Sequence, residues 1–126
     1  MNREAMTLRC LIVDDSPSFL RAARGLLESQ GIAVVGTAST SAEAVTLAAE
    51  LRPDVTLLDI DLGGESGFDV AERLHGQLSQ PPVPVILIST HAEEDFADLI
   101  ASSSAVGFLP KVDLSAAAIR DLLRAP

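Results

Sequence analysis

Apolar runs of five to seven residues alternate with longer stretches in which apolar residues return every three or four positions, and the cycle repeats five times. Leu8 to Val13 predicts a first buried strand, closed by Asp14-Asp15. Ser16-Pro17 then supplies an N-cap residue followed by proline at the first helical position. Leu20, Ala23 and Leu27 recur at helical spacing, and Gly31 ends that helix. Ile32 to Ala38 predicts a second strand, and Thr40-Ser41-Ala42-Glu43 has the form of a capping box. Ala44, Val45, Ala48 and Leu51 make the next apolar stripe, stopped by Pro53.

Val55 to Leu58 predicts the third strand, which ends abruptly on Asp59. A loop from Asp61 to Gly67 leads into a helix with Val70, Ala71, Leu74 and Leu78 facing inward. Pro81, Pro82 and Pro84 delay the fourth strand, Val85 to Ile88, which ends at Ser89-Thr90. Glu93 to Ser102 predicts a helix carrying Phe96, Leu99 and Ile100. Ala105 to Leu109 predicts a fifth strand, followed by Pro110-Lys111 and a last helix from Leu114 to Arg124.

Five strands alternating with five helices imply right-handed βαβ units and one parallel sheet covered on both faces, a doubly wound α/β fold. At 126 residues without an internal repeat or linker, the expectation is one domain over 1–126 with its core at about 8–124. No output domain is expected within this chain. Aromatic residues are scarce, so Ala, Leu, Val and Ile must build the core.

Charge and cysteine content narrow the function classes. A formal net charge of −9 argues against direct nucleic-acid or anionic-membrane binding, since both need a basic patch, and it admits a divalent cation. Cys10 is the single cysteine and lies in an apolar run, which excludes a disulfide framework and predicts a buried thiol. Without a signal-peptide pattern or an apolar run of about 20 residues, a cytoplasmic location is expected.

In a doubly wound sheet, ligands bind outside the carboxyl ends of the strands. Those ends carry Asp14 and Asp15, Asp59, Ser89 and Thr90, and Lys111. Any one of them is an ordinary polar loop residue. Together, three carboxylates in one crevice repel one another and call for a cation, and Mg²⁺ (or Mn²⁺) suits all-oxygen ligands. Lys111 is the chain's one lysine beside eight arginines, and a compact ammonium suits a single phosphate oxygen.

Taken with Leu11-Ile12-Val13-Asp14-Asp15-Ser16, Leu57-Leu58-Asp59-Ile60, Gly67, Val85-Ile86-Leu87-Ile88-Ser89 and Gly107-Phe108-Leu109-Pro110-Lys111, these residues resemble a response regulator receiver domain of two-component signalling. The segments occur in the family's order and spacing from Leu8 to Arg124. The resemblance implies a flavodoxin-like sheet of order 2-1-3-4-5. It implies that Asp59 is the phosphoacceptor, attacking the phosphohistidine of a sensor histidine kinase or phosphotransfer protein. Asp14, Asp15 and Asp59 would hold Mg²⁺ with the main-chain carbonyl of Asp61. Ser89 and Lys111 would contact the phosphoryl group, and Ser89 with Phe108 would form the switch. Asp61, Thr90 and His91 would tune the phosphoryl lifetime; His91 could orient water, hydrogen-bond Asp61, or simply be a solvated residue opening a helix.

Three places depart from the family's habit, one of them Thr90, where a small residue is frequent. Leu62-Gly63 stands where Met-Pro is frequent, so a more flexible loop is expected there. Val112 follows Lys111 where proline is frequent. Two other readings compete: a small haloacid dehalogenase-like phosphatase using Asp59-Ile60-Asp61 as its D-x-D motif, and a degenerate receiver that acts only by protein contact. The favoured reading is no enzyme beyond its own phosphotransfer and dephosphorylation. It expects a downstream output protein or domain, and a homodimer through the fourth helix, fifth strand and fifth helix, where Asp95, Asp98 and Asp121 face Arg120 and Arg124.

Overall fold

The computed structural model describes residues 7–77 and 83–124. Its strands are β1 (Arg9–Val13), β2 (Ala33–Ala38), β3 (Val55–Asp59), β4 (Val85–Ser89) and β5 (Gly107–Pro110). Its α-helices are α1 (Pro17–Ser29), α2 (Ser41–Leu51), α3 (Gly67–Gln77), α4 (Ala97–Ser102) and α5 (Ala116–Arg124). The five strands pair in parallel in the order β2-β1-β3-β4-β5, as the sequence leads one to expect. Leu78, Pro81 and Pro82 lie outside the described residues, as does the segment before Thr7.

Strand periodicity sorts the core into two layers. Cys10, Ile12, Leu57, Ile86 and Ile88 point to the face covered by α1 and α5, where Leu27 and Ile119 meet them. Leu11, Val13, Leu58 and Leu87 point to the opposite face, against Ala44 and Ala48 of α2 and Val70 and Leu74 of α3. β3 and β4 are buried along their whole lengths, because they are central and covered on both sides. Each fully buried Leu or Ile contributes roughly 1.5–3 kcal/mol, so this double layer, and no disulfide, holds the fold.

Local signals set the helix starts. Ser16 caps α1 by accepting from Phe19 N–H, with Pro17 at its first position. Thr40 caps α2 by accepting from Glu43 N–H. The returning half of the capping box differs from its usual form, because the Glu43 carboxylate takes the N–H and hydroxyl of Ser39. Gly31, at φ +90°, turns the chain from α1 into β2. Arg52 closes α2 in the left-handed region at φ 47°. The Arg9 guanidinium donates to the carbonyls of Leu51 and Arg52 at the same helix end.

Three elements differ from the sequence reading. The segment after β3 is a tight hairpin pairing Asp61–Leu62 with Glu65–Ser66, turned by Gly63 and Gly64 at positive φ. The helix expected from Glu93 opens instead as a 3₁₀ turn, Glu93–Phe96, and becomes α-helical only from Ala97. Ala92 offers no capping side chain, so nothing local favours a full α start. After Lys111–Asp113, another 3₁₀ turn, Ser115 caps α5 by accepting from Ala118 N–H.

Candidate metal and phosphoacceptor site

Strand register levels the functional side chains. Val13 pairs with Leu58 and Asp59 with Ile88, so Asp14 and Asp59 leave adjacent strands side by side. Ser89 pairs with Pro110, which brings the Ser89 hydroxyl and Lys111 to the same edge. A carboxylate oxygen from each of Asp14, Asp15 and Asp59 lies within 4.8 Å of the others. Asp14 and Asp59 are buried while Asp15 is exposed, so the cluster is anchored on the protein side and open on the other.

Each group is held by named partners. Asp14 Oδ1 accepts from Ser16 N–H at 2.9 Å, and its buried Oδ2 faces the Lys111 ammonium at 2.6 Å. Asp59 Oδ1 accepts from Asp61 N–H at 3.1 Å, and Asp59 Oδ2 lies 3.6 Å from Lys111 Nζ. Burial pushes the Asp59 carboxyl up to about 6. The Asp61 N–H opposes that rise, Asp14 adds to it, and Lys111 opposes it in turn. An ionised Asp59 is therefore under-compensated by the protein alone.

That imbalance is a test for a cation. One ammonium serves a buried oxygen of Asp14 and reaches Asp59 only at 3.6 Å, leaving two negative charges in excess among three carboxylates. The donors are all hard oxygens, which fit Mg²⁺ or Mn²⁺ and exclude a thiolate-type site. Asp61 is exposed, and its carboxylate is not part of the cluster. Its contribution here is the N–H that pins Asp59. The D-x-D pair therefore does not bring two carboxylates together.

Close packing fixes the chain beyond Asp59. Gly67 N–H donates to Ile60 O at 2.6 Å, and a Cβ on Gly67 would overlap the Asp59 carbonyl oxygen and stand 2.6 Å from Ile60 Cα. Only glycine allows that approach. Leu62 is buried, and Glu65 clasps the start of α2, taking Ser41 Oγ at 2.5 Å and Ser41 N–H at 3.2 Å. Arg73 of α3 donates to the same Ser41 hydroxyl. The loop expected to be flexible is thus tied to two helices.

Ser89 is buried, and its Oγ accepts from His91 N–H at 3.0 Å and meets His91 Nδ1 at 3.4 Å. Among the described residues, His91 hydrogen-bonds Ser89 and not Asp61. Its ring meets Phe96 edge-on, with centroids 5.9 Å apart, and Phe96 in turn meets Phe68 at the start of α3. Thr90 is exposed. Phe108, the other residue of the expected switch, is buried within the α2–α3 layer.

Of the residues expected at the site, the structure brings Asp14, Asp15, Asp59 and Lys111 into one cluster and sets Ser89 on the neighbouring strand end. The sequence reading missed Phe19, whose ring lies under the Lys111 ammonium at 4.2 Å, and the Glu65 clasp. Phe19 carried a usable signal, being one of only four aromatic residues and five positions beyond the first aspartate.

This sheet, with an acidic cluster and a lysine at its carboxyl edge, is that of a signal receiver domain. Residues 10–124 match the family model of the response regulator receiver domain, and the chain belongs to that family. It is 33% identical over 119 residues to the transcriptional regulatory protein LiaR of Bacillus subtilis, covering 94% of this chain and 55% of LiaR. It is 44% identical over 100 residues to the transcriptional regulatory protein KdpE of Mycobacterium tuberculosis, covering 79% of this chain and 41% of KdpE. The chain thus spans about half the length of the curated relatives it matches. The receiver domain of the response regulator NarL from M. tuberculosis superposes with a TM-score of 0.79 at 30% identity, covering 94% of this chain and 98% of that one. A LuxR-family two-component response regulator from Aurantimonas gives a TM-score of 0.81 at 26% identity, covering 93% of this chain and 86% of that one.

Proposed function

We propose that this receiver domain is a phosphorylation switch in which Asp59 takes a phosphoryl group from the phosphohistidine of a sensor histidine kinase or phosphotransfer protein. The observation that carries the reading is the cluster itself: three carboxylates within 4.8 Å, with Lys111 Nζ 3.6 Å from Asp59 and the Ser89 hydroxyl on the neighbouring strand end. An Asp59 carboxylate oxygen attacks phosphorus, the bond from phosphorus to the imidazole nitrogen breaks, and the imidazole leaves with the bonding pair. The product is an acyl phosphate on Asp59.

Positioning and charge neutralisation supply most of the acceleration in such a transfer. Asp61 N–H holds one Asp59 oxygen and fixes the carboxylate's orientation. Lys111 stands beside the other Asp59 oxygen and takes a phosphoryl oxygen, and Ser89 donates to another. Asp14, Asp15 and Asp59, with the Asp61 carbonyl, would hold Mg²⁺ or Mn²⁺, which neutralises charge on the phosphoryl oxygens when bound. Ser89 leaves His91 on turning toward the new oxygens, which frees the 3₁₀ turn ahead of α4.

The partners follow from the same reading. The kinase or phosphotransfer protein meets the acidic edge, and the changed α4–β5–α5 face meets an output protein or domain. Leu99 and Val106 are exposed there. Arg124 pairs with Asp121 within α5, so a homodimer through this face would exchange that pairing for one across the interface. The net charge of −9 speaks for protein partners, not nucleic acid, for this domain. Among the described residues no helix is long and apolar enough to cross a membrane, which fits the proposed cytoplasmic location.

Acetyl phosphate with Mg²⁺ tests the reading. The wild-type chain is expected to gain one phosphoryl adduct by intact mass, lost on chelating the metal and absent in Asp59→Asn. A wild type that gains no adduct leaves the domain as a contact module alone; steady turnover of small phosphate esters points to a phosphatase instead.

A further inference from the structure

Lys111 has three partners, and only two of them are acidic. Its ammonium lies 2.6 Å from Asp14 Oδ2, 3.6 Å from Asp59 Oδ2, and 4.2 Å from the centroid of the Phe19 ring. Phe19 sits on the first turn of α1, where the Ser16 hydroxyl accepts its N–H, and it packs against the core layer beneath. Its ring is therefore held from both the backbone and the side-chain end. A ring face within about 6 Å of a desolvated ammonium attracts it through the aromatic quadrupole.

We propose that Phe19 is a positioning residue for Lys111, keeping the ammonium at the phosphoacceptor while its carboxylate partners are occupied elsewhere. The inference rests on the phosphoacceptor reading above. Asp14 and Asp59 both belong to the cluster that would take a cation, and Asp59 also becomes the acyl phosphate. A cation competes with the ammonium for both carboxylates, and only after transfer does a phosphoryl oxygen take the place of Asp59. The ring neither ligates a hard cation nor accepts a phosphoryl group, so it is the partner that persists through the cycle. Without it, a four-carbon side chain with four rotatable bonds is free to leave its place while a cation holds Asp14 and Asp59 and before a phosphoryl oxygen arrives.

Lys111 is the only lysine in the chain, so protein grown on lysine labelled at Cε and Nζ gives a single side-chain signal. In the metal-free wild type, the Lys111 Hε protons are expected to show a nuclear Overhauser effect to the Phe19 ring. They are also expected to lie upfield of their position in Phe19→Leu. With acetyl phosphate and Mg²⁺, Phe19→Leu is expected to form the adduct about fivefold more slowly, the size of one cation–π contact. Phe19→Trp, which keeps an aromatic face, should retain the wild-type rate.

An absent Overhauser effect overturns the proposal, and so does a Phe19→Leu protein that reacts at the wild-type rate. Should circular dichroism show Phe19→Leu unfolded, Phe19→Met carries the rate comparison, and the wild-type spectrum alone decides the contact. Failure of the wild type to form an adduct rejects the phosphoacceptor reading and Phe19's part in it together. A normal adduct with no ring contact rejects Phe19 alone.

Discussion

Two loops leave the carboxyl edge of the sheet from the adjacent strands β3 and β4, and they are built differently. The one after β3 buries Leu62, turns on two glycines and is fastened by Gly67 N–H to Ile60 O and by Glu65 to Ser41. The one after β4 has no buried residue from Thr90 to Ser102, opens as a 3₁₀ turn without a capping side chain, and forms an α-helix of only six residues. The first carries the Asp61 N–H that orients Asp59, so it must not move. The second reaches Ser89 through His91 and meets the core only with partly buried side chains such as Phe96 and Ile100, so it can move at less cost. In the proposed switch, chemistry sits on the fastened side and response on the loose one.

The largest effect is expected from breaking the fastened side. Gly67→Ala puts a methyl group into the Asp59 carbonyl and Ile60, with backbone on both sides unable to yield. A loss of about 3 kcal/mol or more is expected in urea-unfolding midpoints. A loss below about 1 kcal/mol would mean that this close approach does not lock the loop.

A smaller effect follows from the charge that the rigid side holds. In metal-free protein the folded Asp59 carboxyl titrates at about 6, above its ordinary 3.8. Between those values the folded state binds a proton that the unfolded chain has released, so stability falls as pH rises through this window. The penalty is absent below it and complete above it. Asp59→Asn is therefore expected to stabilise the metal-free protein by about 2 kcal/mol near neutral pH and to flatten the pH profile of its thermal midpoint. An equal slope in wild type and variant would assign the titration to another group.

The smallest effect comes from the loose side. Ala92→Ser supplies the missing N-cap ahead of Glu93, worth about 0.5–1 kcal/mol. Slower amide exchange at Asp95, whose N–H now reaches only Ala92 O, is the expected reading. Unchanged exchange there would mean that this turn is already as firmly held as the loop after β3.

The strands and their acidic ends were legible because a parallel strand buried on both faces has no polar positions to spare until it leaves the core, as Leu57-Leu58-Asp59 does. Helix starts with a side-chain cap were legible for the same local reason, at Ser16 and Thr40. Glu65 was not, since its partner Ser41 lies 24 positions upstream and no periodicity links them. Nor was the 3₁₀ opening before α4: three acidic residues suit a helix N-terminus, but the residue ahead of them is an alanine. Phe108 was named as a switch residue only through the resemblance of Gly107-Phe108-Leu109-Pro110-Lys111, whereas its depth depends on packing against the α2–α3 layer, which only the fold decides.

Cys10 gives the fold a built-in stopwatch. It is the chain's one thiol, fully covered on β1 between two neighbouring strands, and burial lifts it to about 12. At neutral pH it is neither ionised nor reachable, so an alkylating reagent reacts only after β1 has left the sheet. The rate of that reaction under mild conditions counts whole-domain openings and is blind to the traffic of loops at the other end of the strands.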